Sequence, residues 1–206
     1  MKKISNTFII SLASIGVLIV SNNELYAQKE KSNSVVAIGI GLGHGMEVPF
    51  SSAVKTFDYS RSPVLYFSYD YCIADNISLG LVYTFQSHSL NYTKYPYYTS
   101  SGGTSGTWTD KATRQNFAIK PLYHFGDNKV IDCYAGLLLG YNSWGITRGK
   151  TNYVSKDLSN LKSGVNALVV VGSRYILDSG ITINIEIAYG VPQSQYYLTL
   201  GAGYKF

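Results

Sequence analysis

The sequence predicts an all-β chain, eight antiparallel strands running up and down and closed into a barrel. Three observations predict it. Segments of about 10 residues or more alternate large apolar side chains with small or polar ones, a period of two that strands use and helices cannot. Short turns bearing Asp, Asn or Gly alternate with long polar connections, as a meander with one tight end and one looped end requires. The apolar set is continuous from strand to strand, while the opposite set carries Gly, Asn and charge.

The third observation fixes which way the wall faces. A soluble barrel of the lipocalin type wants an apolar interior, and here the glycines, amides and charges take that side. Hydrocarbon demands the reverse, with every backbone group paired by closure and the apolar face outward. The expectation is therefore an eight-stranded antiparallel up-and-down transmembrane β-barrel, with Ile183, Leu137 and Val169 turned toward lipid.

Residues 1–27 read as a signal peptide. Lys2 and Lys3 form its basic start, residues 8–20 its apolar run, and Leu25-Tyr26-Ala27 a cleavage site before Gln28. No Cys stands near that site to suggest a lipoprotein, and the apolar run is too short for a confident membrane helix. Cleavage leaves residues 28–206 as one domain. Dropping Lys2, Lys3 and Glu24 from the 17 basic and 12 acidic residues leaves 15 against 11, an excess too small to argue for nucleic acid.

The first strand, 34–46, sets Val36, Ile38, Ile40 and Leu42 against Ala37, Gly39, Gly41, Gly43 and Gly45. Glycines at period two with no helix pattern after them belong to one crowded strand face rather than to a phosphate loop. A loop over 47–59 leads to the second strand, 60–73, with Leu65, Phe67, Tyr69, Tyr71 and Ile73 outward. A tight turn at 74–76 precedes the third strand, 77–90, and a long polar connection covers 91–111. The fourth strand, 112–125, contains Pro121, which cannot donate to a ladder and predicts a bulge or a local break.

A turn at 126–129 leads to the fifth strand, 130–147, and a polar loop, 148–162, to the sixth, 163–177. Residues 178–180 turn the chain into the seventh strand, 181–190. There Ile181, Ile183, Ile185 and Ile187 alternate with Thr182, Asn184, Glu186 and Ala188. A connection at 192–195 leads to the last strand, which ends at Phe206. By parity Cys72 faces inward and Cys133 outward, which argues against a disulfide between them. Tyr69, Tyr71, Tyr123, Phe125, Tyr175, Tyr204 and Phe206 fall near the tight-turn end as one aromatic girdle. Tyr83, Phe85, Tyr141, Tyr189 and Tyr196 suit a second girdle at the looped end.

These features resemble the small OmpA/OmpX-type barrels of diderm bacteria, the outer membrane protein β-barrel domain family, over residues 35–206. The resemblance implies location in the cell outer membrane and contact with its lipid and lipopolysaccharide. It also implies that the terminal Phe206 is part of the signal read by the barrel assembly machinery. It carries no family-unique motif, so it implies fold and compartment more than activity.

Asp70, Lys120, His124, Asp132, Arg174, Glu186 and Lys205 all take inward parity. An eight-stranded barrel is just wide enough to be filled by side chains, so these predict a paired ionic core. A narrow porin-like channel or small-ligand conduit is the alternative. Ser87-His88-Ser89 invites comparison with lipid A-modifying outer-membrane enzymes, yet parity separates His88 from both serines and no third member orients it. No catalytic residue is assigned and no enzyme activity expected. His44, His124, Cys72 and Cys133 share no metal-ligand spacing, and no cofactor is expected. Asn76-Ile-Ser78 and Asn91-Tyr-Thr93 match the glycosylation pattern, a short match frequent by chance.

The long third connection carries Tyr92, Tyr95, Tyr97, Tyr98 and Trp108 among Ser, Gly and Thr, the composition of adaptable recognition surfaces. A solvated loop whose rings rest on headgroups would have the same composition, and that alternative stays open. The functional expectation is a monomeric outer-membrane protein with a structural or adhesin-like role and an extracellular partner that the sequence does not name.

Overall fold

The computed structural model describes residues 33–43, 54–94, 107–125, 130–147, 163–191 and 195–206. The signal peptide expected at 1–27, His44, the turn expected at 126–129 and Tyr95, Tyr97 and Tyr98 lie outside them. Among the described residues there are nine strand segments: β1 (Ser34–Gly43), β2 (Val54–Arg61), β3 (Val64–Ala74), β4 (Ile77–Lys94), β5 (Thr107–Phe125), β6 (Ile131–Thr147), β7 (Gly164–Ile176), β8 (Ile181–Val191) and β9 (Gln195–Lys205). All pair antiparallel in one sheet, which closes because β1 pairs with both β3 and β9 while β4 pairs with β5. The barrel has eight staves, since β2 and β3 lie end to end along β4 as one interrupted stave.

That interruption corrects two expectations. The loop expected at 47–59 is strand from Val54 onward, and the stave expected to run unbroken over 60–73 has its irregularity at Ser62–Pro63. Arg61 sits opposite His88 and Leu65 opposite Phe85, so three residues on one side span two on the other. This is a β-bulge, where a proline without an N–H is tolerated. Serine closes it: the Ser62 backbone N–H donates to the Ser87 carbonyl at 2.8 Å, and the Ser62 hydroxyl accepts the Ser87 N–H at 2.9 Å.

Pro121, by contrast, sits in a local break of the ladder and not in a bulge. Ile119 opposite Leu139 and Leu122 opposite Gly136 keep one register on either side of it, and the ladder to β6 simply skips Lys120 and Pro121. Two missing pairings cost less than a register slip, which would turn every later side chain to the wrong face. The polar connection is also shorter than expected: β4 and β5 stay paired as far as Thr93 opposite Thr107, with Tyr92 opposite Trp108.

The two described ends meet at the tight-turn end, where the Ser34 N–H donates to the Phe206 carbonyl at 2.9 Å and the Phe206 N–H returns a bond to Ser34 at 3.0 Å. The β3–β4 turn there takes only Asp75 and Asn76. In the β7–β8 turn Gly180 adopts φ +82°, and a Cβ would lie 2.8 Å from the Lys205 carbonyl oxygen, so position and space both require glycine.

The wall is inside out relative to a soluble barrel. Ile183 is 49 % exposed, Leu137 44 % and Val169 56 %, while Asp70, Lys120, Arg174 and Glu186 are buried. The exposed apolar side chains run round every stave as a belt, far beyond the few hundred Å² that a protein in water tolerates as a patch. Along β8 the belt spans Ile181 to Tyr189, about 27 Å of strand and, at the usual strand tilt, about 20 Å in height, close to the apolar band of about 25 Å that a transmembrane barrel presents. Among the described residues no helix is long and apolar enough to cross a membrane.

Rings border the belt at both ends. Tyr123 packs against Phe125 and Tyr204 against Phe206 at the turn end, with Tyr71 and Tyr175 also exposed there. Tyr83 packs on Phe117 at 4.7 Å between centroids at the loop end, near exposed Tyr141 and Tyr189. Beyond that ring the outward face becomes polar: Ser87, Ser89 and Asn91 on β4, Gln115, Thr113 and Lys111 on β5, Ser143 and Thr147 on β6. Cys72 is buried inside and Cys133 faces outward, and neither is in a disulfide.

Candidate functional site: the filled lumen and its polar rim

Inward glycines make room for long inward side chains. Gly80 sits in register between Asp70 and Lys120, and a Cβ there would collide with the Asp70 carboxylate. Gly172 lies beside Tyr134, where a Cβ would come within 2.5–2.6 Å of the phenol ring and its hydroxyl. The space so made holds a network joining six staves. Lys120 Nζ is 3.2 Å from Asp70 Oδ1 and 3.3 Å from Glu186 Oε2. Arg174 reaches Asp70 Oδ2 at 2.6 Å through Nη2 and Asp132 Oδ2 at 3.3 Å through Nη1, and its Nε donates to Asn184 at 3.2 Å. Glu186 Oε2 accepts the hydroxyls of Tyr66 at 3.3 Å and Tyr134 at 3.2 Å.

His124 extends the network to the turn end, with Nδ1 2.6 Å from Asp132 Oδ1 and Nε2 2.7 Å from Ser78 Oγ. The order serine, histidine, carboxylate has the distances of a nucleophile relay. Burial decides against that use: Ser78 and His124 are both 0 % exposed, and the second oxygen of Asp132 is held by Arg174. A substrate carbonyl cannot reach Ser78 Oγ, so the relay's work here is to tie β4, β5, β6 and β7 together.

Six of the seven inward residues expected from parity thus meet: Asp70, Lys120, His124, Asp132, Arg174 and Glu186. Lys205 does not. It has inward parity but stands half-buried at the turn end and joins no ion pair among the described residues.

Parity reasoning missed an apolar layer inside the lumen. Val82, Ala118, Leu122, Leu138, Leu168, Val170 and Ala188, with the rings of Tyr66, Tyr134 and Tyr197, form one buried cluster. The signal was present in Leu137-Leu138-Leu139 and Leu168-Val169-Val170-Val171, where alternation lapses because both faces are dry. Network and layer together fill the cross-section with side chains.

On the loop-end side of that layer the inward side chains are polar again, with Gln86, Asn116, Asn142 and Asn166 all buried. Tyr59 hydrogen-bonds His88 Nδ1 at 2.8 Å and stacks on it, and Trp144 packs on the other side with Arg114 over its ring. Arg61 donates to the Gly43 carbonyl at 2.6 Å, capping β1 where the bulge ends its pairing with β3. His88 faces inward and Ser87 and Ser89 outward, so these three do not form a site. Tyr92 and Trp108, expected in a loop, stand in β4 and β5.

A closed eight-stranded barrel with an apolar outside and a filled, polar and ionic inside defines a class: the small transmembrane barrels. No protein-family model and no curated protein matches the chain. Solved structures do, and all of the following are outer-membrane barrels. The outer membrane protein OprG from Pseudomonas aeruginosa aligns with TM-score 0.57 and 14 % identity over 88 % of this chain and 99 % of its own. AlkL, solved by solid-state NMR in DMPC bilayers, gives 0.50 and 17 % over 89 % and 96 %. Ail, the attachment invasion locus protein of Yersinia pestis, in complex with the heparin analogue sucrose octasulfate, gives 0.50 and 12 % over 86 % and 100 %. The fold of this chain is that of the small eight-stranded outer-membrane β-barrels.

Proposed function

We propose that the chain is an integral protein of the cell outer membrane, exported by its first 27 residues, and that it works as a monomeric scaffold presenting its looped end to partners outside. The observation that carries this reading is the filled lumen. With a salt-bridge network and an apolar layer across its interior, the barrel offers no wide passage, and what remains available to other molecules is its rim. The polar extension of β2, β4, β5 and β6 beyond the lipid belt supports the same reading, because strands with polar residues on their outward face belong in water. A structural neighbour, Ail, is an attachment invasion protein found with a heparin analogue, so this scaffold is compatible with surface attachment. Assembly by the barrel assembly machinery, read from Phe206, and contact with lipopolysaccharide belong to this proposal, as does the absence of enzymatic activity.

The test is deletion of residues 95–106, which spares the paired ends of β4 and β5. Cells of a non-adherent diderm bacterium expressing the full chain should adhere to heparin-coated glass or to cell monolayers. Cells expressing the deletion should carry as much folded barrel and lose that adhesion. Unchanged adhesion by the deletion variant removes the loop-mediated reading.

A further inference from the structure

Strand register fixes heights inside the barrel. Following strand partners once around, from Asp132 to Arg174 and onward, returns to β6 at Asn142, ten residues further along. Allowing for that stagger, inward Gln86, Asn116, Asn142 and Asn166, one each from β4 to β7, stand within about 3 Å of a common height. Across the lumen at this height β1 and β8 contribute Gly43 and Gly190, which send no side chain inward. Tyr197 lies just beneath, and below it Leu138, Leu168 and Ala188 of the apolar layer close the cross-section.

The four amides are buried but incompletely satisfied. Asn142 Oδ1 accepts from Arg114 Nε at 3.2 Å, and Gln86 Nε2 donates to the Ser62 carbonyl at 3.2 Å. Asn116 Oδ1, Gln86 Oε1, both amide atoms of Asn166 and the Tyr197 hydroxyl have no hydrogen-bond partner among the described residues, and each of these four residues is 4 % exposed or less. A polar atom that gives up water on burial without gaining a partner is unfavourable, and folded proteins keep few of them. Here five gather at one level of the lumen and directly beneath it.

We infer that this level is a binding site for a small uncharged guest that both donates and accepts hydrogen bonds, either water or a hydroxylated solute of about the size of glycerol. The Asn166 amide offers donors and an acceptor side by side, the Tyr197 hydroxyl takes either role, and the oxygens of Asn116 and Gln86 accept. A molecule carrying O–H groups answers all of them. Carbonyl oxygens turn an anion away, and among the described residues no carboxylate stands at this height to balance a cation. Gly43 and Gly190 set the size, since the width their side chains would have taken suits a guest of a few heavy atoms. The site is a blind cup, filled from the looped end and closed below by the apolar layer.

The experiment is solution NMR of the full chain, isotope-labelled and refolded in detergent micelles. The side-chain amide protons of Asn166 should show cross-peaks to water of the sign given by bound rather than passing molecules. Those of Asn184, whose oxygen Arg174 already occupies, should show none. Glycerol is then titrated. A saturable shift of the Asn166 and Asn116 side-chain signals identifies a hydroxylated solute as the guest, and unshifted signals with cross-peaks retained identify water. Absence of both the cross-peaks and the shift leaves the amides orphaned and overturns the site. Stability gives a second reading: Asn166→Leu should lower the guanidinium midpoint by about 0.5 M, because it strips the guest of a partner. A raised midpoint, the result of replacing an orphaned amide by an apolar group, overturns the inference as well. Should that variant fail to fold, the wild-type spectra decide.

Discussion

Arg174 is the point at which the interior can be tested most directly. It holds Asp70, Asp132 and Asn184 at once and is 1 % exposed. Arg174→Met keeps most of the stem volume and removes all three donors, leaving Asp70, Asp132 and Glu186 with Lys120 as the remaining full cation of the network described. Removing one partner from a buried pair costs about 3–5 kcal/mol, because the surviving charge loses its compensation where water cannot replace it. At a guanidinium slope of about 2–4 kcal/mol per molar, the unfolding midpoint of the vesicle-inserted barrel should fall by about 1–2 M. Tryptophan fluorescence reads it. Combining Arg174→Met with Asp70→Asn should cost less than the sum of the two single changes, since the second change removes the charge that the first exposed. A loss of only about 0.5 kcal/mol, the level of exposed pairs, would mean that water screens the lumen and would refute the filled-interior argument.

Three further outcomes follow from the same geometry. Gly172→Ala should lower stability by about 1–3 kcal/mol, the usual overpacking cost, because its Cβ meets the Tyr134 ring; the same denaturation measurement checks it, and a neutral result would mean that the ring has room to move. In planar bilayers the purified barrel should give no stable, large conductance steps, and a steady open level of that kind would contradict the plug of network and apolar layer. A fluorophosphonate probe should leave Ser78 unmodified in the folded barrel despite its 2.7 Å contact with His124, since the hydroxyl is sealed; a labelled Ser78 in the mass spectrum would show that the turn end opens.

How much of this was legible beforehand depends on what period two can carry. It gave the face of nearly every residue, because parity is local: Ile183, Leu137 and Val169 outward, Asp70, Lys120 and Arg174 inward. It could not give who meets whom. That Arg174 finds Asp70, 104 residues away, depends on the accumulated register of the intervening strands. Pro121 and Pro63 show the same limit. Both lack an N–H, yet one sits in register and the other in a bulge, and the difference lies in the Ser62 hydroxyl that closes the latter. The apolar layer escaped because a residue apolar on both faces, as at Leu138 or Val170, breaks the alternation that was being followed. Strand ends at 91–94 and 107–111 read as loop because their polar outward side looks the same in water whether or not the backbone is paired.

The unequal height of the wall has a consequence of its own. On one flank β4 continues for eight residues past Phe85 and Gln86, roughly 27 Å of strand at the usual rise, while on the other β8 and β9 stop level with the aromatic ring. Among the described residues the mouth is therefore slanted, fenced along one side and low along the other. A large visitor descending toward the bilayer meets the fence broadside and can settle against it while still touching the headgroups across the low side. Contact of that kind is directional, so a molecule resting on the fence and the low side together lies at one orientation relative to the barrel.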